Sequence, residues 1–188
     1  MTTHPNLLNS HNSLLLIVDI QDKLTGAMPE GNAEDMLENS TRLIEAANLL
    51  NVPIIITEQY PKGLGATVAS LREKLKENTA HFEKTGFSCL AADNFSATLE
   101  KKARKQIIIV GQETHVCILQ TALELMQQGY QVHIVEDAVC SRKAENKFYA
   151  LQRLQAQGAT ISNFESVLFE WLKTSQHEHF PAIAALLR

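Results

Sequence analysis

Apolar positions along the chain fall into two kinds of run, and their alternation predicts the architecture. Residues 14–18, 52–57, 107–110 and 132–135 are apolar at nearly every position rather than at alternate ones. Such short continuous runs suit strands buried on both faces of a parallel sheet. Between them the apolar side chains recur every three or four positions, as at Leu37, Leu43, Ile44, Ala47 and Leu50, and again at Val116, Leu119, Leu123 and Met126. That is the helix period, and Asn51, Gly129 and Gly158 supply the stops. Residues 58–65 hold one proline and two glycines and read as a loop. Weaker patterns predict a short helix over 68–76, a short third strand over 80–84, helices over 94–104 and 144–157, a sixth strand from 159, and helical segments over 165–172 and 181–188. Strand alternating with helix at this spacing predicts a three-layer α-β-α sandwich with a mostly parallel, doubly wound six-stranded sheet. We read residues 1–188 as one domain, with 1–12 a flexible N-terminal segment.

Composition narrows the function classes. A chain of 188 residues with 45% hydrophobic content buries one good core. The formal charge of -4 and the lack of a Lys/Arg cluster with interleaved aromatics argue against a nucleic-acid partner. Residues 1–13 contain no lysine or arginine, and no apolar run reaches membrane-span length, so a cytoplasmic protein with no membrane partner is expected. Cys89, Cys117 and Cys140 form no Cys-x-x-Cys pair. They read as free thiols rather than a disulfide framework or zinc ribbon.

Three predicted strand ends carry chemically capable side chains: Asp19 after the first, Lys84 after the third and Cys117 after the fourth. In a doubly wound sheet these ends share one edge, so the three groups can converge. A carboxylate accepts a thiol proton, an ammonium holds negative charge, and sulfur attacks a carbonyl carbon. Cys117 also falls where the predicted helix begins, a position that favours thiolate over thiol.

At these residues the sequence resembles the isochorismatase-like hydrolase family of the cysteine hydrolase superfamily, in motifs most like isochorismatase-domain-containing hydrolases. The resemblance runs from Leu-Leu-Leu-Ile-Val-Asp-Ile-Gln at 14–21, through Glu-Gln-Tyr-Pro-Lys-Gly at 58–63, Glu-Lys-Thr-Gly-Phe-Ser at 83–88 and Gly-Gln-Glu-Thr-His-Val-Cys at 111–117, to Glu-Asp-Ala at 136–138. It implies a catalytic triad of Asp19, Lys84 and Cys117, a covalent thioester, and a non-proline cis peptide at Gln112–Glu113 that directs the backbone N–H groups of Glu113 and Cys117 at the oxyanion. No cofactor is implied. The nicotinamidase branch carries a metal site with an Asp-x-His element after the second strand, whereas residues 57–61 here read Thr-Glu-Gln-Tyr-Pro. Isochorismate-cleaving members do not rely on a cysteine, so Cys117 points away from that reaction.

The expectation is therefore a metal-independent hydrolase of a small amide, ureide or carbamoyl-type substrate. Its alternatives are an ester or thioester hydrolase on the same fold, or a non-catalytic binding protein that retains the triad. Gln21, Tyr60 and Phe87 are candidate substrate contacts. His115 reads as a cap or surface contact rather than a general base, and Asp137 as an anchor for the next helix. The resemblance also implies a homo-oligomer, a dimer or higher; the apolar segment 167–172 either packs on a neighbouring subunit or closes its own core.

Overall fold

In the computed structural model, which describes residues 4–187, six strands form one sheet in the order β3-β2-β1-β4-β5-β6, and every strand pairing is parallel. The strands are β1 (Ser13–Val18), β2 (Ile54–Gln59), β3 (Ala80–Lys84), β4 (Gln106–Gln112), β5 (Gln131–Cys140) and β6 (Thr160–Ser162). All positions of β1 and β4 are buried, as continuous apolar runs require when both sheet faces are covered. Alternate side chains serve opposite layers. Leu15, Ile17, Ile108 and Val110 pack with Met36, Leu43 and Ile44 of α2 (Glu30–Leu49), with Leu168 and Trp171 of α8 (Phe164–Leu172) and with Ile183 of α9 (Phe180–Ala185). On the other face Leu14, Leu16, Ile107 and Ile109 pack with Phe95 and Leu99 of α5 (Phe95–Lys102), Ala122 and Leu125 of α6 (Leu119–Gln127), and Leu154 of α7 (Ala144–Ala156). The three-layer sandwich is as the alternation predicts.

Element ends differ from the sequence expectation where long-range pairing decides them. β2 continues through Glu58 and Gln59, which the local composition puts in a loop, because they pair with Glu83 and Lys84 of β3. β5 runs on to Cys140, with a register irregularity opposite Ile109 and Gly111. The predicted helix over 68–76 shrinks to α4 (Ala69–Arg72), while one-turn helices form at α1 (Asp22–Thr25) and α3 (Pro61–Leu64) within stretches read as loops. The last predicted helix was drawn to 188; α9 ends at Ala185, and Arg188 lies outside the described residues.

Two segments remain to be placed. The N-terminal segment is tied to the body from Leu8 onward: Leu8 is buried, its N–H donates to Glu170 at 2.7 Å, and the Gln106 side chain bonds Asn9 N–H at 2.9 Å and Leu7 C=O at 3.0 Å. Residues 1–3 lie outside the described residues. In the candidate interface segment, Val167, Leu168, Trp171 and Leu172 are all buried in the chain's own core, and Trp171 Nε1 donates to Ser13 Oγ. That stripe closes its own fold and leaves Phe169 as its exposed apolar side chain.

Candidate active site

The sheet order reverses between β1 and β4, and at such a switch point the connections leave in opposite directions and open a crevice at the carboxyl ends. Asp19 follows β1 and Cys117 follows β4. The strand ends approach closely there: Gly111 has φ +118°, and a Cβ on it would lie 2.0 Å from the Val18 carbonyl oxygen. Only glycine fits. Asp19 itself adopts φ +53°, which turns the chain out of the strand. Its N–H stays bonded to Thr57 C=O at 3.1 Å.

Asp19 and Lys84 form a fully buried ion pair, Nζ to Oδ2 2.6 Å, with both side chains 0% exposed. The ammonium has further acceptors in Gln59 Oε1 at 2.7 Å, Phe87 C=O at 2.9 Å and Gly86 C=O at 3.4 Å. Its three donors are thus spent on fixed partners, which a buried charge requires. Thr57 Oγ1 donates to the other carboxylate oxygen of Asp19 at 2.7 Å. Cys117 is 5% exposed, and the Asp19 and Lys84 charges both act on its thiol.

The peptide between Gln112 and Glu113 is cis. Beyond it, Thr114–Ile118 forms a single π-helical turn that leads into α6. The Glu113 carbonyl accepts from Val116 N at 3.0 Å and Ile118 N at 3.3 Å, passing over Cys117. The wide turn therefore places Cys117 differently from a helix-start residue, and the electrostatics differ too. Burial and the Asp19 charge push the Cys117 thiol far above its ordinary range, and Lys84 only partly offsets them. Burial and the neighbouring carboxylate thus oppose the thiolate that a helix start favours.

The other candidates divide. Gln21 is buried and both of its amide hydrogens are committed, to Gln59 C=O at 3.0 Å and Gly65 C=O at 2.6 Å, while its Oε1 accepts from Gln59 N–H at 2.7 Å. It is a clamp on the 59–65 segment, not a substrate contact. Tyr60 and Phe87 are 54% and 53% exposed, and both sit on backbone bonded to Lys84, since Tyr60 N–H donates to Lys84 C=O at 2.8 Å. The His115 ring nitrogens contact Ser141 Oγ at 3.0 Å and Asn146 Nδ2 at 3.2 Å. Asp137 anchors α8, accepting from Phe164 N–H at 2.9 Å. Arg142 contacts the Glu113 carboxylate through its backbone N–H and its guanidinium. Although burial pushes the Glu113 carboxyl upward, these contacts hold it below its ordinary value.

Sequence reasoning missed several polar residues around this site. The side chains of Thr57, Gln59 and Gln112 are assigned no role from sequence, and Cys89 reads only as a free thiol. Gln112 donates to Asp19 C=O at 3.1 Å and Thr25 Oγ1 at 2.7 Å; Cys89 lies 3.6 Å from Thr57 Oγ1. Their available signal was position at the carboxyl edge of the sheet. A cavity of about 450 Å³ lies beside Tyr60, Lys84 and Thr85. A groove of about 740 Å³ runs between Leu7, Leu8 and α8, away from all three candidate catalytic residues.

Residues 13–166 match the Isochorismatase domain. Over 182 residues the chain is 41% identical to Isochorismatase family protein 1A of Dictyostelium discoideum, covering 95% of this chain and 87% of that protein. It is 38% identical to Isochorismatase domain-containing protein 2 of Danio rerio, over 96% and 89% of the two chains. Among solved structures it is similar to the MAR1 ribonuclease of Caenorhabditis elegans, with TM-score 0.90, 38% identity, and coverage of 96% and 91%. An α/β sheet with its polar crevice at the β1/β4 switch point and a match of this extent define the class: the chain belongs to the isochorismatase family.

Proposed function

We propose that the chain is a metal-independent cysteine hydrolase acting on a small amide, ureide or carbamoyl-type substrate, with Asp19, Lys84 and Cys117 as its catalytic triad. The observation that carries this reading is the fully buried Asp19–Lys84 ion pair at the sheet edge that also carries Cys117, whose thiol the Asp19 charge raises. Because burial and the Asp19 charge disfavour the thiolate, attack and proton transfer are coupled. Asp19 takes the Sγ proton as sulfur bonds the carbonyl carbon, and the oxyanion is met by the N–H groups of Glu113 and Cys117. The tetrahedral intermediate collapses as Asp19 returns the proton to the leaving nitrogen, the C–N bond breaks, and a thioester remains. Water then gives a proton to Asp19 and adds to the thioester carbon; the C–S bond breaks and the thiolate recovers the proton. Lys84 keeps Asp19 oriented throughout. Tyr60 and Phe87 are assigned to the substrate's flanks.

An ester or thioester would enter the same cycle with oxygen or sulfur as the leaving atom, and only nitrogen release separates the two. The ribonuclease name of the nematode relative is not carried to this chain. A formal charge of -4, and a Lys84 ammonium spent on fixed acceptors, supply no phosphate footprint.

The test is intact mass after incubation with a panel of small amides, ureides and esters, on the native chain, Cys117→Ala and Asp19→Asn. The expected result is an acyl adduct on the native chain alone, with ammonia or amine released in turnover. Turnover that survives Cys117→Ala, or no adduct and no product across the panel, overturns the reading.

A further inference from the structure

Asp19 is held from two sides, and the second side has no part in the triad. Thr57 on β2 stands directly across from Val18 in the β1 register, is buried, and directs Oγ1 at Asp19 Oδ1 over 2.7 Å. A carboxylate only accepts, so the hydroxyl proton lies on the Thr57–Asp19 line. The oxygen of Thr57 then has lone pairs alone to offer its other neighbour, Cys89 Sγ at 3.6 Å. Cys89 must therefore be the donor, as a thiol. Burial and the Asp19 charge push it up to about 11, which keeps that proton in place. Its backbone N–H is in turn fixed to Thr121 Oγ1 at 2.9 Å, one helical turn beyond Cys117. The resulting chain, Cys89 to Thr57 to Asp19, leads back to the segment that carries the nucleophile. The ionisable groups facing Asp19 are Lys84 from β3, Cys117 from the π-helical turn and Cys89 from the 3-10 turn Cys89–Ala91.

We infer that Thr57 is a positioning residue for proton abstraction: its hydroxyl, oriented by Cys89, pins Oδ1 while Lys84 pins Oδ2, so that the carboxylate presents a fixed lone pair to the Cys117 thiol. Two anchors are needed because a carboxylate held at one oxygen can still rotate about its Cβ–Cγ bond, and general-base efficiency depends on a fixed donor–acceptor line. This inference rests on the triad reading above.

The test uses p-nitrophenyl acetate as acyl donor. Its carbonyl carbon bonds Sγ, the thiol proton passes to Asp19, and the C–O bond breaks to release p-nitrophenolate. Acylation is followed by colour and by the acetyl mass on Cys117, with Cys117→Ala as the blank. In Thr57→Val, isosteric but lacking the hydroxyl, the acylation rate constant at saturating ester is expected to fall about tenfold, the loss of one hydrogen bond to a charged acceptor. The half-saturating concentration should stay within about twofold, since no ester contact is removed. Thr57→Ser should recover to within about threefold of the native rate. Should Thr57→Val lose its far-UV signature of folding, Thr57→Ala carries the same expectation. A hydroxyl-less variant that acylates at the native rate overturns the inference, as does Thr57→Ser that is no faster than Thr57→Val; in both cases the triad reading stands if Cys117→Ala and Asp19→Asn are inactive. A native chain that forms no acetyl adduct at Cys117 overturns both.

Discussion

Residue identities made Asp19, Lys84 and Cys117 chemically eligible, but burial beside Asp19 is what raises the Cys117 thiol. The carboxylate proposed as base also raises the Cys117 thiol, so the two roles separate by substitution. Asp19→Asn removes the carboxylate that raises the Cys117 thiol and leaves the ammonium that lowers it. Thiolate absorbance in an ultraviolet difference titration should therefore appear at lower pH in Asp19→Asn than in the native chain, while acyl transfer is lost. A titration unmoved or shifted upward would remove Asp19 from the thiol's surroundings. Lys84 gives the converse. Both side chains of its pair are 0% exposed, and stripping the cation from a buried carboxylate costs on the order of 3 to 5 kcal/mol. Urea unfolding of Lys84→Met should register that loss; a native midpoint would mean the ion pair contributes nothing to stability. Cys117 and Asp19 were legible as candidates because each follows an unmistakable apolar strand. Thr57 and Cys89 were not, since a threonine and a cysteine at strand or loop positions are what ordinary packing also supplies.

At the scale of elements, the site depends on where two strands stop and how one turn is wound. β1 and β4 pair from Ser13 with Gln106 up to Val18 with Gly111, and the last pair brings glycine against a carbonyl. Gly111→Ala must move backbone, because the new methyl meets Val18 C=O and φ stays positive. A loss of at least about 2 kcal/mol is expected in chemical unfolding, together with impaired acylation because Asp19 follows Val18 directly. Native stability in this variant would mean that the strand ends can separate without harm. The turn at Cys117 is the element that sequence periodicity misread. Apolar spacing at Val116, Leu119 and Leu123 is satisfied by a helix started one turn late, so the period detects α6 but not the π-helical turn before it. The over-long β5 and the extension of β2 have the same origin: local composition sees neighbours in sequence, whereas strand ends are set by partners such as Glu83 and Lys84.

For the whole molecule, stability should fall on mild acidification for a reason unrelated to the site. His133, in the middle of β5, is 1% exposed with an unpartnered Nε2, and burial lowers it from 6.5 to about 4. The unfolded chain binds the extra proton between these values, so His133 contributes its full share above about 6.5 and loses it as pH falls toward about 4. The slope is about 1.4 kcal/mol per pH unit at most. His133→Leu should flatten the pH dependence of the urea midpoint in that window, and an unchanged slope would assign the dependence elsewhere. Exposed Leu7, Phe148, Tyr149 and Phe169 favour the expected homo-oligomer. Light scattering should return a multiple of the chain mass, and a strict monomer would remove that expectation. By itself the sequence determined the layers, the parallel sheet, the family and the three candidate catalytic residues, because burial on two faces and the helix period are written locally. Only the tertiary structure decided that burial and Asp19 raise the Cys117 thiol, that Gln21 clamps the 59–65 segment, and that Thr57 and Cys89 stand behind Asp19. Those properties arise from distances between strands remote in sequence and from the water excluded between them, neither of which a linear pattern carries.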